Sequence, residues 1–402
     1  ELEVELSLKD VFVNPTIKKM AKLIQQSEKE IHAGIEPVEK REYYPVTSAQ
    51  RRLFVLDQLE GQSIAYNMPR VMEVEGPLDK DRLEASLKQI IERHETLRTS
   101  FGTVDGDIIQ RIEEEIDFSL DYLEADESQL ERIIDDFVCP FNLEHAPLLR
   151  AKLVKIDEEK YIFLFDTHHI ISDGVSQDIL IREFISHYQG QELPDLRIQY
   201  KDYTVWQNQQ LEEGLLENQE EYWLDRFAGE IPVLNMPTDY PRPKIQSFEG
   251  DTVAFRIGKE LTAKLNNLAK ETGSTLYMVL LAAYNALLDR YTGQEDIVVG
   301  SPIAGRPDAD LQNLIGMFIN TLAMRNFPEN GLSFKEFLNQ VKDNALKAYE
   351  NQDYQFERLV KELGVPRDMS RNPIFNTLFT LHNTDNENIE LEGLTFKPYG
   401  SG

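Results

Sequence analysis

Two adjacent histidines, His168 and His169, stand where the apolar run 161–165 ends, and they are the strongest candidates for chemistry in this chain. Neighbouring side chains on a β-strand point to opposite faces, so one imidazole can face a cleft while the other packs behind it. That arrangement suits proton transfer by a general base, because the unperturbed pKa of histidine lies nearest neutrality. It argues against both rings binding one metal ion.

Regular elements must hold this pair in place. Apolar periodicity predicts a strand pair at 149–156 and 161–167, with a helix at 174–188 directly after the histidines. A longer amphipathic helix is predicted at 79–101, and its apolar face carries His94, which we expect to be a core residue.

A second series of predicted elements follows the proline-rich segment 232–243. Two series of mixed helix and strand, joined in this way, predict two similar α/β lobes. The second series consists of strands at 252–257, 296–300 and 375–381 and helices at 260–271, 275–291 and 333–350.

Length and charge narrow the class of protein. The 402 residues predict about two or three domains. Acidic residues outnumber basic ones by 71 to 42, so the formal net charge is −29. Such a surface repels phosphate backbones and anionic membranes, which argues against binding to either. No signal peptide is visible, and the longest apolar stretch, 276–288, is shorter than the ~20 residues of a membrane helix.

The chain has a single cysteine, Cys139, which excludes an intrachain disulfide and a cysteine-based zinc site. This usage fits a reducing cytoplasm, where we expect the protein to work. The apolar neighbours Phe137 and Phe141 disfavour a thiolate, so we expect a buried structural thiol rather than a nucleophile.

Seven segments, in this order, resemble the core motifs of condensation domains of non-ribosomal peptide synthetases. Any one motif is a weak signal, whereas the ordered set is highly specific and covers roughly residues 43–400. The segments are SAQRRL at 48–53, RHETLRTSF at 93–101, THHIISDG at 167–174, YKDYTVWQ at 200–207, IGMFINTLAMR at 315–325, NQDYQFE at 351–357 and RDMSRNP at 367–373.

The resemblance implies an α/β fold of two chloramphenicol-acetyltransferase-like lobes, set in a V as a pseudo-dimer with a central tunnel. One carrier arm would enter the tunnel from each side. The amine of a downstream aminoacyl thioester would attack the acyl or peptidyl thioester of an upstream carrier, and a peptide bond would form. The thioester is already activated, so no ATP site is needed, and the sequence has neither a Walker loop nor a dinucleotide-binding glycine fingerprint.

The resemblance also implies the partners. They are an upstream donor carrier, a downstream acceptor carrier and a neighbouring adenylation domain, and the condensing chain itself is expected to be a monomer. Phosphopantetheine arms arrive on the carriers, so we expect this chain to bind no cofactor and no metal ion.

The N-terminal residues resemble the C-terminal part of a peptidyl carrier domain, because LKDVF at 8–12 is followed by NPT at 14–16. The Gly-Gly-x-Ser segment that receives phosphopantetheine is not present. Condensation domains usually run several dozen residues beyond the position of Gly402, so we expect the second lobe to be truncated. The expected boundaries are 1–27 for the carrier fragment, 28–42 for a linker, 43–230 for the N-lobe and 231–402 for the C-lobe.

Individual roles follow from the resemblance. His169 matches the second histidine of the motif, which acts as a general base or holds the attacking amine, and His168 is expected to hold backbone behind it. Asp173 is open to three interpretations: an acid, a metal ligand or, as we favour, half of a structural ion pair with Arg306. Gly174 either presents its N–H to an oxyanion or begins a helix.

Three more residues are assigned to the substrate tunnel. Asn320 resembles an amide that the family places near the tunnel. Trp206 lines or braces the wall, and we favour core packing for its indole. Ser48 belongs to the first motif and is expected to contribute scaffold rather than chemistry.

Four other functions stay open. A free acetyltransferase also carries His-His-x-x-x-Asp-Gly, but it would lack the carrier-like piece and the later motifs. An epimerisation domain differs from the segment 315–325, and a heterocyclisation domain replaces the histidine pair by aspartates. A non-catalytic carrier-docking module is disfavoured by the intact His169 and Asp173.

Overall fold

The described residues of the chain form two units. The histidine unit contains the described residues within 35–215, 306–319 and 383–402, and the companion unit contains those within 1–34, 216–305 and 320–382. The computed structural model describes residues 16–26, 34–61, 63–247, 249–366, 368–382, 389–391 and 393–399.

The chain contains both helices and strands. The helices are α1 (Ile17–Gln26), α2 (Ser48–Glu60), α3 (Lys80–Arg93), α4 (Leu130–Phe137), α5 (Gly174–Tyr188), α6 (Tyr200–Glu212), α7 (Glu217–Arg226), α8 (Lys259–Thr272), α9 (Leu276–Thr292), α10 (Phe334–Glu350) and α11 (Phe356–Glu362). The strands are β1 (Tyr44–Pro45), β2 (Arg70–Glu75), β3 (Thr99–Val104), β4 (Asp107–Ile112), β5 (Asp121–Glu124), β6 (Leu149–Asp157), β7 (Lys160–Thr167), β8 (Ile297–Ile303), β9 (Asn320–Asn326), β10 (Ile389–Leu391) and β11 (Leu394–Pro398).

A six-stranded sheet in the histidine unit carries the histidine pair. Its order is β10-β11-β2-β7-β6-β5; β5 and β6 run parallel, and the other neighbours are antiparallel. On β7, Phe163 and Phe165 face the main core, whereas Ile162 and Leu164 face a smaller core beneath α4. Both faces of β7 are therefore covered, which explains why 161–165 is a continuous apolar run rather than an alternating one.

Helices α3 and α5 supply apolar side chains to the main core. Asp79 caps α3, because its Oδ1 accepts hydrogen bonds of 3.0 Å from the backbone N–H groups of Asp81 and Arg82. A second, three-stranded antiparallel sheet, β1-β4-β3, completes the histidine unit.

The companion unit packs helices against the antiparallel pair β8–β9. Gly273 adopts the left-handed conformation that ends α8, and Thr275 then caps α9. Ser333 and Glu336 form a reciprocal capping box at the start of α10. The helices predicted at 260–271, 275–291 and 333–350 are thus present with local signals at their ends.

Three predicted elements differ from the structure. The helix expected at 79–101 ends at Arg93, because the buried His94 adopts an extended backbone and turns to Glu183. A short 3₁₀ turn, Glu95–Arg98, and then β3 follow. The strand expected at 252–257 is wrong, since these residues are exposed and no described strand pairs with them to satisfy their backbone groups. In place of a strand at 375–381, a single bridge joins Leu378 to Gly300.

The expectation that Cys139 is a buried thiol is wrong, because the residue is exposed. Its flanking residues Phe137 and Phe141 turn inward, and the chain between them passes over the surface. The carbonyl of Cys139 accepts hydrogen bonds from Asn67 Nδ2 (2.9 Å) and Arg150 Nη2 (2.7 Å), and the thiol contacts the same guanidinium.

The division of the chain into two units has more boundaries than the single one between the lobes that we expected near residue 230. Residues 216–230 belong to the companion unit, and 306–319 return to the histidine unit. The described residues leave out 1–15 and 27 of the expected carrier fragment and 28–33 of the expected linker. Arg367 of the seventh motif and 400–402 also lie outside the described residues. The V-shaped arrangement with its tunnel stays a prediction. Among the described residues, no helix has the length and apolarity needed to cross a membrane.

Candidate active site

The histidine pair lies in a turn at the end of β7, where backbone bonds hold it from both sides. The His168 N–H donates to the Leu148 carbonyl (3.0 Å), and the His169 N–H donates to the Tyr66 carbonyl (2.8 Å). A short 3₁₀ turn, His169–Ile171, then leads to α5. The main chain that carries both imidazoles is therefore anchored before any side chain contributes.

His168 faces the interior. Its Nδ1 accepts a hydrogen bond of 3.1 Å from the Ile170 N–H, and its ring lies edge-on to Phe141 with the centroids 6.1 Å apart. Burial, assisted by the neighbouring His169, lowers the pKa of His168 to about 4. The ring is therefore neutral at pH 7, and its hydrogen bond lies within the turn that we expect it to support.

His169 has a different environment. The residue is half-buried, and its Nδ1 is shielded from solvent without a hydrogen-bond partner among the described residues. One ring nitrogen of His169 therefore keeps unused hydrogen-bonding capacity. The alternation of neighbouring side chains thus gives the two imidazoles different environments.

Asp173 is fully buried and saturated with hydrogen bonds. Its Oδ1 accepts from the N–H and the hydroxyl of Ser176, both at 2.7 Å, and its Oδ2 accepts from the Phe318 N–H at 3.1 Å. Arg306 Nη2 lies 3.2 Å from Oδ1. The carboxylate therefore caps α5 and forms an ion pair, which leaves the acid and metal-ligand interpretations without support.

Arg306 is held as tightly as its partner. Its Nη1 donates to the carbonyls of Leu311 and, at 2.7 Å, of Leu314, and its guanidinium stacks 3.9 Å from the centre of the Phe318 ring. Burial lowers the pKa of Arg306, and the Asp173 carboxylate opposes that shift. The pair ties the start of α5 to the segment 306–318 inside the histidine unit.

Gly174 is the first residue of α5 and is exposed. A Cβ built on it would meet open space, so packing alone does not require glycine there. Within the described residues its N–H has no acceptor, and the N-terminus of a helix carries partial positive charge. Both the oxyanion and the helix-initiating interpretations of Gly174 fit this position.

Asn320 belongs to the companion unit, where backbone takes up its whole amide. Its Nδ2 donates to the carbonyls of Gln352 (2.8 Å) and Tyr354 (3.0 Å). Its Oδ1 accepts from the N–H groups of Thr321 (2.8 Å) and Phe356 (3.1 Å). No hydrogen-bonding position is left for a substrate, so the amide acts as a clamp on this part of the companion unit.

The other two residues assigned to the tunnel, Trp206 and Ser48, have surroundings typical of structural residues. Trp206 packs against a small core of the histidine unit, with its ring centroid 6.0 Å from that of Tyr203. Ser48 is half-buried and opens α2 directly after its cap, Thr47.

Sequence reasoning missed two buried glutamines that brace the histidine turn. Gln50 Nε2 donates to the Ile170 carbonyl (3.1 Å), and Gln177 Nε2 donates to the hydroxyls of Thr167 (2.9 Å) and Ser172 (3.0 Å). The sequence signal that could have identified these glutamines is a polar residue on the buried face of a helix. No group of three or more His, Cys, Asp or Glu side chains in the described part of the chain is arranged to hold a metal ion.

Comparisons with known proteins give the same family as the seven sequence motifs. A family model described as "Condensation domain" matches residues 40–401. Gramicidin S synthase 2 of Brevibacillus brevis is 52% identical over 399 residues, which are 99% of this chain and 9% of that protein. Bacitracin synthase 3 of Bacillus licheniformis is 51% identical over 401 residues, which are 100% of this chain and 6% of that protein. The chain thus spans less than a tenth of these curated relatives.

Solved structures share the fold. The complex of the X-domain and OxyB from teicoplanin biosynthesis matches with a TM-score of 0.84 and 26% identity, over 92% of this chain and 83% of that one. A four-domain nonribosomal peptide synthetase bound to AMP and glycine matches with a TM-score of 0.82 and 23% identity, over 90% of this chain and 29% of that one. The predicted α/β fold class is confirmed.

Proposed function

Because the chain belongs to the condensation-domain family of non-ribosomal peptide synthetases, we propose that it forms peptide bonds between two carrier-bound substrates. The donor is an acyl or peptidyl thioester on an upstream carrier, and the acceptor is the amine of an aminoacyl thioester on a downstream carrier. The observation that carries this proposal is His169, whose free Nδ1 sits on a rigid turn beside the exposed start of α5.

The amine nitrogen attacks the thioester carbonyl carbon, so a C–N bond forms and negative charge develops on the oxygen. His169 holds the amine or accepts its proton, and the Gly174 N–H stabilises the oxyanion. The C–S bond then breaks, the electron pair leaves on sulfur, and the proton ends on the released thiol. Positioning of two tethered reactants supplies much of the rate.

The supporting residues work through the turn. Asp173 and Arg306 fix the start of α5, and His168 fixes the turn between β7 and α5. Both oxygens of the Asp173 carboxylate accept hydrogen bonds, and the two Nη atoms of Arg306 donate to Asp173 and to backbone carbonyls, which supports a structural role for both residues.

We assign the phosphopantetheine arms to the carriers, with an adenylation domain as neighbour, and we expect the condensing chain to act as a monomer without a cofactor or metal of its own. Residues 1–27 contain no Gly-Gly-x-Ser attachment segment, so loaded carriers are supplied to this chain in the assay. The single cysteine is in keeping with work in the cytoplasm.

The test is a reconstitution with donor and acceptor carriers that are loaded beforehand with a panel of L- and D-aminoacyl groups. Dipeptidyl thioester is detected by mass spectrometry. His169→Ala should lower its formation by roughly 10²- to 10⁴-fold. His145→Ala is the matched control, because His145 is an exposed histidine of the same unit.

A parental rate for the His169→Ala variant would contradict the role of this ring. Acyl transfer from free acyl thioesters to free amines, with no product from carriers, would favour the acetyltransferase alternative. Absence of any turnover, together with carrier binding, would favour the docking module.

A further inference from the structure

The backbone of residues 314–318, which we call the clasp, is bonded along its length by side chains from other parts of the histidine unit. Five side chains contribute: Ser176 from α5, Tyr200 from α6, His94 and Asp173 from the caps of α3 and α5, and Arg306 from a loop. The bonds join Leu314 O to Arg306 (2.7 Å), Ile315 N to His94 Nδ1 (3.4 Å), Gly316 N and O to Ser176 Oγ (3.0 and 2.9 Å), Met317 O to the Tyr200 hydroxyl (2.6 Å) and Phe318 N to Asp173 Oδ2 (3.1 Å).

Ser176 lies at the centre of these bonds. It is fully buried in the first turn of α5, and its hydroxyl reaches both polar groups of the Gly316 backbone. The same oxygen lies 3.0 Å from Arg306 Nη2 and 2.7 Å from Asp173 Oδ1. A hydroxyl has one proton and two lone pairs, so Ser176 Oγ can accept from Arg306 and from the Gly316 N–H and donate to either Asp173 or the Gly316 carbonyl. In either case it links the ion pair and the clasp through a single atom.

The approach of the clasp to this hydroxyl depends on Gly316. A Cβ on Gly316 would lie 2.0 Å from a carbon of the Tyr200 ring, which is far inside van der Waals contact. The ring of Tyr200 is itself fixed, because its hydroxyl donates to Met317 and its edge packs on Phe318. The absence of a side chain at Gly316 therefore lets the clasp backbone lie against Tyr200, within reach of the Ser176 hydroxyl.

The first turn of α5 is thus attached to the clasp on both sides of Gly174. Asp173 precedes the glycine and binds Phe318, and Ser176 follows it and binds Gly316. Between these two attachments lies the exposed residue Gly174, and the turn bearing His169 leads directly into them.

We propose that Ser176 is a positioning residue for the condensation reaction: through the clasp it sets where the Gly174 N–H and the His169 ring stand. This inference rests on the proposed function. Ser176 touches neither substrate nor reacting atom, so its removal should lower the maximal rate without weakening carrier binding.

The experiment compares Ser176→Ala with Ser186→Ala. Ser186 is the matched control, because it lies on the same helix and bonds only to the Arg182 carbonyl one turn earlier. Single-turnover rates are measured with loaded carriers at increasing donor concentration. We expect Ser176→Ala to lower the maximal rate by roughly 10- to 100-fold at an unchanged half-saturating concentration. Ser176→Thr, which keeps the hydroxyl, should recover most of the rate.

A second readout does not need turnover. In protein labelled with ¹³C at histidine Cε1, the His169 resonance is identified by its loss in His169→Gln. This resonance should shift in Ser176→Ala and stay in place in Ser186→Ala.

Ser176→Ala with a lowered melting temperature, a parental maximal rate and an unshifted His169 resonance would overturn the proposal. If that variant does not fold, Ser176→Cys preserves the volume with weaker hydrogen bonds, and the same two readouts decide. If the parental protein condenses no carrier pair, the proposed function fails, and the His169 resonance still tests the positioning.

Discussion

The region around Asp173 and the region around Asn320 both bury a polar side chain among backbone groups, yet they differ in what is left unpaired. Near Asp173, the His169 Nδ1, the Arg306 Nε and the Gly174 N–H have no partner among the described residues. Around Asn320, the amide donates twice and accepts twice, and nothing remains. The comparison indicates that the groups to which we assign chemistry stand among unpaired donors and acceptors, whereas the fully paired Asn320 amide fits a structural role.

The two supports also differ in charge. Asp173 and Arg306 are ions whose side chains are almost wholly removed from water, whereas Asn320 is neutral. A buried ion is costly once its partner is lost, because the remaining charge has neither water nor a counter-ion. The histidine region should therefore respond more sharply to substitution than the amide region.

The largest effect is expected from the ion pair. Asp173→Ala and Arg306→Ala should each lower the free energy of unfolding by roughly 3–5 kcal/mol, measured by urea denaturation. The double variant should lose less than the sum, because no unpaired charge remains. The exposed pair Lys264–Glu260 is the control, where each change should matter by less than about 1 kcal/mol. Additive losses at Asp173 and Arg306 would show that the two residues do not interact.

Asn320→Ala comes next. It leaves four backbone groups without their amide partner, so we expect a loss of about 2–4 kcal/mol in unfolding free energy. The condensation rate per folded molecule should stay at the parental value. Asn330→Ala, at an exposed position, is the control. A slower reaction with intact stability would instead restore Asn320 to the substrate wall and break the comparison.

His168 should make stability depend on pH. Its pKa of about 4 in the folded protein lies below the ordinary value of 6.5, so the unfolded chain binds the proton more readily. Stability is therefore full above about pH 6.5 and falls as the pH drops toward 4, by up to about 3 kcal/mol. Urea midpoints at pH 7, 6 and 5 should fall less steeply in His168→Gln, although the buried His94 contributes in the same direction. Parallel slopes for the two proteins would refute this assignment.

The smallest effect on stability is expected at Gly174. Since a Cβ there meets open space, Gly174→Ala should change the unfolding free energy by no more than about 1 kcal/mol. The condensation rate should nevertheless fall, because the methyl group would stand beside the N–H that we propose to stabilise the oxyanion. An unchanged rate would leave Gly174 as a helix-initiating residue. The contrast between the Asp173 and Asn320 regions would then rest on His169 alone.

Local patterns in the sequence determined the family and the frame of the histidine region. The strand and helix predicted at 161–167 and 174–188 match Lys160–Thr167 and Gly174–Tyr188 closely. Apolar periodicity and an aspartate cap are local signals, so they survive folding unchanged. Where pairing with another strand decides, as at 252–257, the same kind of pattern misled.

The tertiary structure alone decided which buried side chains hold the site. Ser176 and Gly316 are 140 residues apart, and Gln50 and Ile170 are 120 apart, yet each pair forms a hydrogen bond. Every backbone offers nearly the same N–H and C=O, so no sequence pattern marks the one that a distant side chain will bind. The same reason explains why Asn320 was assigned to substrate from its motif, although backbone from three other positions and its own neighbour occupies its amide.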